Sequence, residues 1–266
     1  MTRIPYDSDL SDAEYECLAP YGEQHGTGRK RSVDIREILN GLRYLSKTGC
    51  QWRMLPHDFP KWFHVAYSFY QWSRDGTLER INDCLREELR IELGRDPEPS
   101  VGIIDSQSVK TVSRGEDRGF DGGKQVKGRK RHVMVDMLGL LLIVIVTAAS
   151  AQDSETGQEL MIDVKAKTRR LVKVYADQGY KQWLVDWIAK FQTFVVELVL
   201  KPADHQGFVV HPKRWKVERF FAWLNNYRRL SKDYERTIGS STAMIHLVSI
   251  QLMTKNLARL RQNKSC

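Results

Sequence analysis

Between Val101 and Leu200 the chain carries five short runs rich in β-branched and aliphatic residues, and their spacing limits what this region can fold into. Val101–Ile104, His132–Met137, Leu140–Thr147, Val172–Ala176 and Phe194–Leu200 each have the length and composition of a buried strand. The second and third are joined by a short turn holding Gly139, as in a hairpin. Helix-like segments, Ser154 to about Arg170 and Lys181–Phe191, separate the later runs. A basic, aromatic helix from Lys213 to about Leu230 follows the last run, and a final helix covers roughly Thr242 to Leu260. Consecutive strands can meander antiparallel, whereas strands separated by helices pair in parallel through crossovers. The pattern predicts an α/β fold, a mixed sheet flanked by helices on both faces.

Residues 1–97 read differently, as helices alone. Ser11 and Glu14 have the spacing of a capping box for a helix through Ala13–Leu18. Arg29-Lys30-Arg31 precedes a second helix, Val33–Leu45, and Phe63–Trp72 and Leu78–Leu93 are two more. A tight turn and an aromatic helix in so small a unit fit a helix-turn-helix reader of DNA. On pattern alone they fit better a plain helical bundle with Trp62, Phe63, Tyr67 and Phe69 in its core. Asp96-Pro97-Glu98-Pro99 is a stiff polar spacer. The expected division is a small all-α domain over 1–97 and an α/β domain over 98–266.

The charge follows the same division. Of 42 Lys and Arg against 33 Asp and Glu, 14 basic and 17 acidic residues lie up to Glu98, leaving the rest of the chain strongly basic. A basic second half points to a polyanionic partner. Cys17, Cys50, Cys84 and Cys266 are far apart and show no zinc spacing, which fits reduced thiols. The first residues do not resemble a secretory signal. The most apolar run, Leu138–Ala149, falls short of the ~20 residues that span a bilayer. The expectation is a cytoplasmic protein with no membrane partner.

Asp105 and Asp177 each follow a strand-like run directly, the position where open α/β sheets gather ligands. Glu218 lies on the helix after the last strand, which can cross the same edge. Three carboxylates meeting there would need cations between them, and Mg²⁺ suits such hard oxygen ligands. Against this, any single carboxylate can be a solvated surface charge, as Asp121, Asp136, Asp163, Asp186 and Asp233 are expected to be. The stretch Gly123–Lys130 approaches a P-loop but lacks the Lys-Ser/Thr ending. Its Lys124, Lys127, Arg129, Lys130 and Arg131 read as phosphate contacts on a flexible loop, or as a solvated loop. Trp183 and Trp187, one turn apart, read as core packing, while Trp215 and Trp223 can serve core or DNA.

Four segments carry a more specific signal: Ile103-Ile104-Asp105-Ser106-Gln107-Ser108-Val109-Lys110, Lys127–His132, Tyr175-Ala176-Asp177-Gln178-Gly179-Tyr180, and Arg214–Leu224. In sequence and order they resemble the DDE transposases of bacterial insertion sequences, most nearly the group numbered family five. The resemblance covers nearly the whole chain. It implies a ribonuclease H-like catalytic domain, in agreement with the strand order above, with Asp105, Asp177 and Glu218 as catalytic, metal-binding residues. The family's Tyr, Arg and Glu are spaced Y-x2-R-x3-E. Arg214 and Glu218 fit that spacing, but His211 stands at the Tyr position and Asn225 replaces a later Lys, for which Arg228 or Arg229 would substitute.

The resemblance further implies two Mg²⁺ ions, replaceable by Mn²⁺, and hydrolysis at transposon ends followed by attack of the 3′-OH on target DNA. Double-stranded DNA would be the partner, at the terminal inverted repeats and the target, with a homo-oligomer in the complex and a location at the bacterial nucleoid. Lys213, Arg214, Lys216 and Arg219 near Glu218 are expected to hold its backbone. Only Lys201–Pro212 separates the last strand from the Glu218 helix, which leaves no room for the insertion found in hairpin-forming relatives. The alternatives are a ribonuclease H-like nuclease without strand transfer and a transposase-derived DNA-binding protein without activity.

Overall fold

Strand β1 (Val101–Lys110) is the axis of a six-stranded mixed sheet. On one side it pairs antiparallel with β3 (Val126–Asp136), which pairs antiparallel with β4 (Leu141–Ala148) and, at its start, with the short β2 (Gly119–Asp121). On the other side β1 pairs in parallel with β5 (Lys173–Ala176), and β5 with β6 (Val195–Leu198). This is the expected arrangement of an antiparallel meander joined to parallel crossover strands. It belongs to the ribonuclease H-like class. The computed structural model describes residues 3–22, 33–113, 115–199 and 213–265.

Helices cover both faces, as the continuous apolar runs require. On one face α5 (Asp153–Lys167) and α6 (Gln182–Phe191) close a core of Ile104, Met134, Leu142, Leu160, Val174 and Ile188. On the other, α7 (Trp215–Asn225) lies against β1 and β3, burying Val217, Phe220, Phe221 and Leu224. The β3–β4 turn is built by Asp136, whose buried carboxylate accepts from the backbone N–H of Leu138 and Leu140. Gly139 completes it at φ +83°, a conformation that suits glycine.

Three local expectations are corrected. β1 continues five residues past Asp105, because Ser106–Lys110 stay paired with Gly128–His132. For the same reason Val126–Arg131 is strand, not flexible loop. Of the supposed surface carboxylates, Asp163 and Asp186 are exposed, but Asp121, Asp136 and Asp233 are buried and fully engaged.

The chain up to Arg95 forms a separate helical unit with α1 (Asp12–Gly22), α2 (Ile35–Thr48), α3 (Trp62–Arg74) and α4 (Thr77–Glu92). Ser11 and Glu14 close the capping box on α1, and Asp34 caps α2, which ends at Gly49 in the left-handed conformation. The expected stretch 98–266 does not stay together. Asn226–Ser231 and the chain from Ala243 onward group with the helical unit, while Asp96–Asn225 and Lys232–Thr242 form the sheet unit. The cause is α8 (Ile238–Ser265), whose Met244, Leu247, Val248, Met253 and Leu257 are buried and whose Gln251 exchanges hydrogen bonds with Ser46. Trp62, Phe63 and Tyr67 of α3 are exposed, whereas Val65, Phe69 and Trp72 fill the helical core.

Candidate active site

β1 and β5 run together only as far as Ile103 and Tyr175. Beyond that point they part, and Asp105 and Asp177 stand on either side of the opening. Each is held by one oxygen: the N–H of Ser106 donates to Asp105 Oδ1 at 2.7 Å, and that of Gly179 to Asp177 Oδ1 at 2.9 Å. Their second oxygens face a common point. Arg214 Nη2 lies 3.5 Å from Asp105 Oδ2, 3.8 Å from Asp177 Oδ2 and 3.7 Å from Glu218 Oε1. Arg214 stands one helical step before Glu218 at the start of α7, with its carbonyl accepting from the Glu218 N–H. The three sequence-selected carboxylates therefore converge, although they are spread over more than a hundred residues of chain.

The electrostatics follow from the packing. The Asp105 side chain is only 14% exposed. Burial and the neighbouring charge of Asp177 push its carboxyl up to about 6, with Arg214 pulling the other way. One guanidinium stands among three carboxylates, so the site holds less positive charge than negative, and the Arg214 Nε is buried with no hydrogen-bond partner. Among the described residues no three His, Cys, Asp or Glu side chains are close enough as they stand to hold an ion, and Arg214 Nη2 lies among these three. An oxygen-only donor set with excess negative charge around a replaceable cation suits a hard divalent metal.

The basic residues fare unevenly. β3 is an interior strand covered on both faces, so most of its charges turn inward. Arg129 is buried, 3.2 Å from Asp233, and donates to the carbonyls of Glu116, Glu235 and Arg236. Lys130 lies between Asp153 at 3.1 Å and Asp121 at 3.6 Å and donates to the Ala151 carbonyl. Arg131 is buried and reaches Gln107, and burial draws its pKa down to about 10. Arg229 is buried in the helical unit, donating to the Cys50 carbonyl. These four are corrected from DNA contacts to internal cations, because their side chains are buried in the protein.

Lys127 is exposed, as is Lys124, although its ammonium donates to Ser106. Lys213 sits over the Tyr175 ring near Glu197, Lys216 is half-buried, and Arg219 donates to the Leu138 carbonyl beside Trp223. Arg228 and Asn225 are exposed. Trp187 packs on the core, but Trp183 is 41% exposed, short of the core packing expected for it, and Trp215 is exposed too. His211, Arg29–Arg31 and the linker Lys201–Pro212 lie outside the described residues.

Sequence reasoning passed over a second cluster beside the carboxylates. Asp153, the first residue of α5, has Oδ1 3.8 Å from the buried His132 ring, and burial draws that imidazole down to about 4. Asp121, Lys130, Gln152, Asp153 and Lys181 line an open cavity of ≈ 310 Å³. Tyr180, which stands within one of the four distinctive segments, is wholly buried. The one sequence signal was the adjacency of Tyr180 to the Asp177 turn.

Residues 96–253 match the family model described as the transposase DDE domain. The chain belongs to the DDE transposase family. It is thus a metal-dependent enzyme that cuts and joins DNA. Residues 10–82 of this transposase match a second model, described as a putative transposase of the IS4/5 family. A relative from Burkholderia cepacia, described as a putative transposase for insertion sequence element IS402, is 28% identical over 144 residues, covering 51% of this chain and 67% of the relative. A chain in the crystal structure of the Mos1 strand transfer complex aligns over 91% of this chain and 80% of its own length at 12% identity, with a TM-score of 0.25, a likeness too slight to bear on the fold.

Proposed function

We propose that Asp105, Asp177 and Glu218 are the metal-binding catalytic residues of this transposase, holding two Mg²⁺ ions for which Mn²⁺ can substitute. The observation that carries this reading is the meeting of their three free carboxylate oxygens around a single nitrogen of Arg214. Bound there, a pair of such ions supplies activation of the attacking oxygen and stabilisation of the leaving one in phosphoryl transfer. The chain's part is to fix the ligands. The backbone N–H groups of Ser106 and Gly179 orient the two aspartates, and α7 brings Glu218 to them. Water first attacks the phosphodiester at the transposon end, and the freed 3′-OH then attacks target DNA at the same carboxylates. No covalent protein–DNA link is required.

Arg214, beside the scissile position, is suited to hold a DNA phosphate when it leaves the carboxylates. Lys124, Lys127, Lys213, Lys216, Arg219 and Arg228 are the remaining candidates for backbone contacts. The helical unit would select the transposon end, through the exposed Trp62, Phe63 and Tyr67 face of α3. Terminal inverted repeats and target DNA would be the partners, in a homo-oligomeric complex. No helix among the described residues is long and apolar enough to cross a membrane. We place the protein's work in the cytoplasm, at the nucleoid.

The test is strand transfer in vitro, with a labelled fragment carrying the DNA that flanks the gene, a supercoiled target plasmid and Mg²⁺. Wild-type protein should give joined products, and Asp105→Asn, Asp177→Asn and Glu218→Gln should each abolish them while retaining DNA binding. Cleavage without joining would reduce the activity to that of a nuclease. Wild-type joining by any of the three variants would remove that residue from the site.

A further inference from the structure

Tyr180 occupies a position that ordinary packing does not explain. Its ring belongs to the apolar core between the sheet and α5. To admit it, α5 carries a glycine in its interior: a Cβ on Gly157 would lie 2.8 Å from Tyr180 Cε1 and 2.9 Å from Cδ1. Glycine inside a helix is unfavourable, so this space is kept at a cost to the helix. A phenylalanine would fill the same volume, yet the chain has a hydroxyl there, wholly buried and with no hydrogen-bond partner.

Burial, with the charges of Asp105, Asp153 and Asp177 opposed by Arg214, raises the phenol well above its ordinary pKa. The backbone fixes the approach, because the Tyr180 N–H donates to the Asp177 carbonyl at 3.2 Å. The phenol is therefore a buried proton donor with no acceptor, on the turn that carries Asp177. A buried donor left without a partner is costly, and where one persists it commonly serves a second state of the site.

We propose that Tyr180 is a positioning residue for the metal-binding carboxylates, its hydroxyl donating to an oxygen of the Asp105–Asp177 pair once a divalent cation replaces the Arg214 guanidinium. This rests on the metal reading of the same site. The backbone N–H of Ser106 and of Gly179 each restrain one oxygen of their aspartate. A further donor would restrain the carboxylates when their free oxygens hold a cation. Outer hydrogen bonds of this kind orient ligands, and their loss commonly weakens metal binding ten- to a hundredfold.

The experiment compares the full-length wild type, Tyr180→Phe and Asp105→Asn without DNA, by Mn²⁺ titration calorimetry and by thermal melting with and without Mn²⁺. For Tyr180→Phe the expected result has two parts: a metal-free melting temperature equal to or above that of the wild type, because an unpartnered hydroxyl is removed, and an Mn²⁺ affinity about tenfold or more weaker. A metal-free protein that melts lower, or fails to fold, overturns the proposal, since the hydroxyl would then be holding the fold. An affinity within twofold of wild type overturns it equally. Asp105→Asn separates this from the reading beneath it. If that variant binds Mn²⁺ as wild type does, the metal site itself is misassigned. If it loses binding while Tyr180→Phe keeps it, only the role of Tyr180 falls.

Discussion

At the scale of single residues, Arg214 is the unusual one. On the metal reading of the site proposed above it is an internal cation where external ones would bind, so it would compete with them. Arg214→Gln should strengthen Mn²⁺ binding to DNA-free protein by on the order of tenfold, about 1.4 kcal/mol, while impairing DNA cleavage. Weaker metal binding in titration calorimetry would make the arginine a helper of the metal rather than its rival. His132 provides a second prediction. Its pKa is about 4 when folded against 6.5 when free, so the unfolded chain takes up more protons in between. The stability that His132 contributes is whole above about 6.5 and is lost as pH falls toward about 4. Urea denaturation at stepped pH should show this slope, and His132→Gln, which can still bond Thr147, should flatten it. The three carboxylates were legible in the chain because two end apolar runs and all lie in distinctive motifs. Tyr180 was not, since nothing in a sequence marks which buried hydroxyl lacks a partner.

At the scale of elements, the strands were readable wherever their residues are apolar and unreadable where they are not. Val101–Ile104 announces β1, but Ser106-Gln107-Ser108 hides its continuation, which depends on pairing with β3. The run Lys127–Arg131 read as phosphate contacts on a flexible loop because charge ordinarily seeks water or a polyanion. Here the acceptors that bury it come from far along the chain, Asp233 for Arg129 and Asp153 for Lys130. Arg129→Ala should therefore cost about 3–5 kcal/mol by leaving a buried carboxylate unpaired. Lys127→Ala, on the same strand but exposed, should stay within about 0.5 kcal/mol. If Lys127 touches a DNA phosphate, its loss should reduce the salt slope of binding by about 0.9. Denaturant midpoints for the pair, read with the salt titration, distinguish a strand of internal cations from a DNA-binding loop.

At the scale of the whole molecule, the spacer at Asp96–Pro99 marks one boundary but not the other, because α8 departs from the unit that precedes it in sequence. Its apolar residues and those of the first helices bury one another in one helical core, with Arg261 and Lys264 paired to Glu88 and Glu92. A fragment starting near Pro99 should consequently expose Met244, Leu247, Val248 and Leu257 and aggregate, whereas one that also ends near Thr242 should behave better. Size-exclusion chromatography of the two decides the point, and a monodisperse longer fragment would refute it. The buried ion pair of Arg129 and Asp233 extends the same dependence into synthesis. The arginine leaves the ribosome first, and at roughly 5–20 residues per second its partner follows only after on the order of 5–20 seconds. For that interval β3 has a charge with nowhere to be buried. Nascent chains stalled just before Asp233 should remain open to protease around Arg129, and chains stalled well beyond it should not.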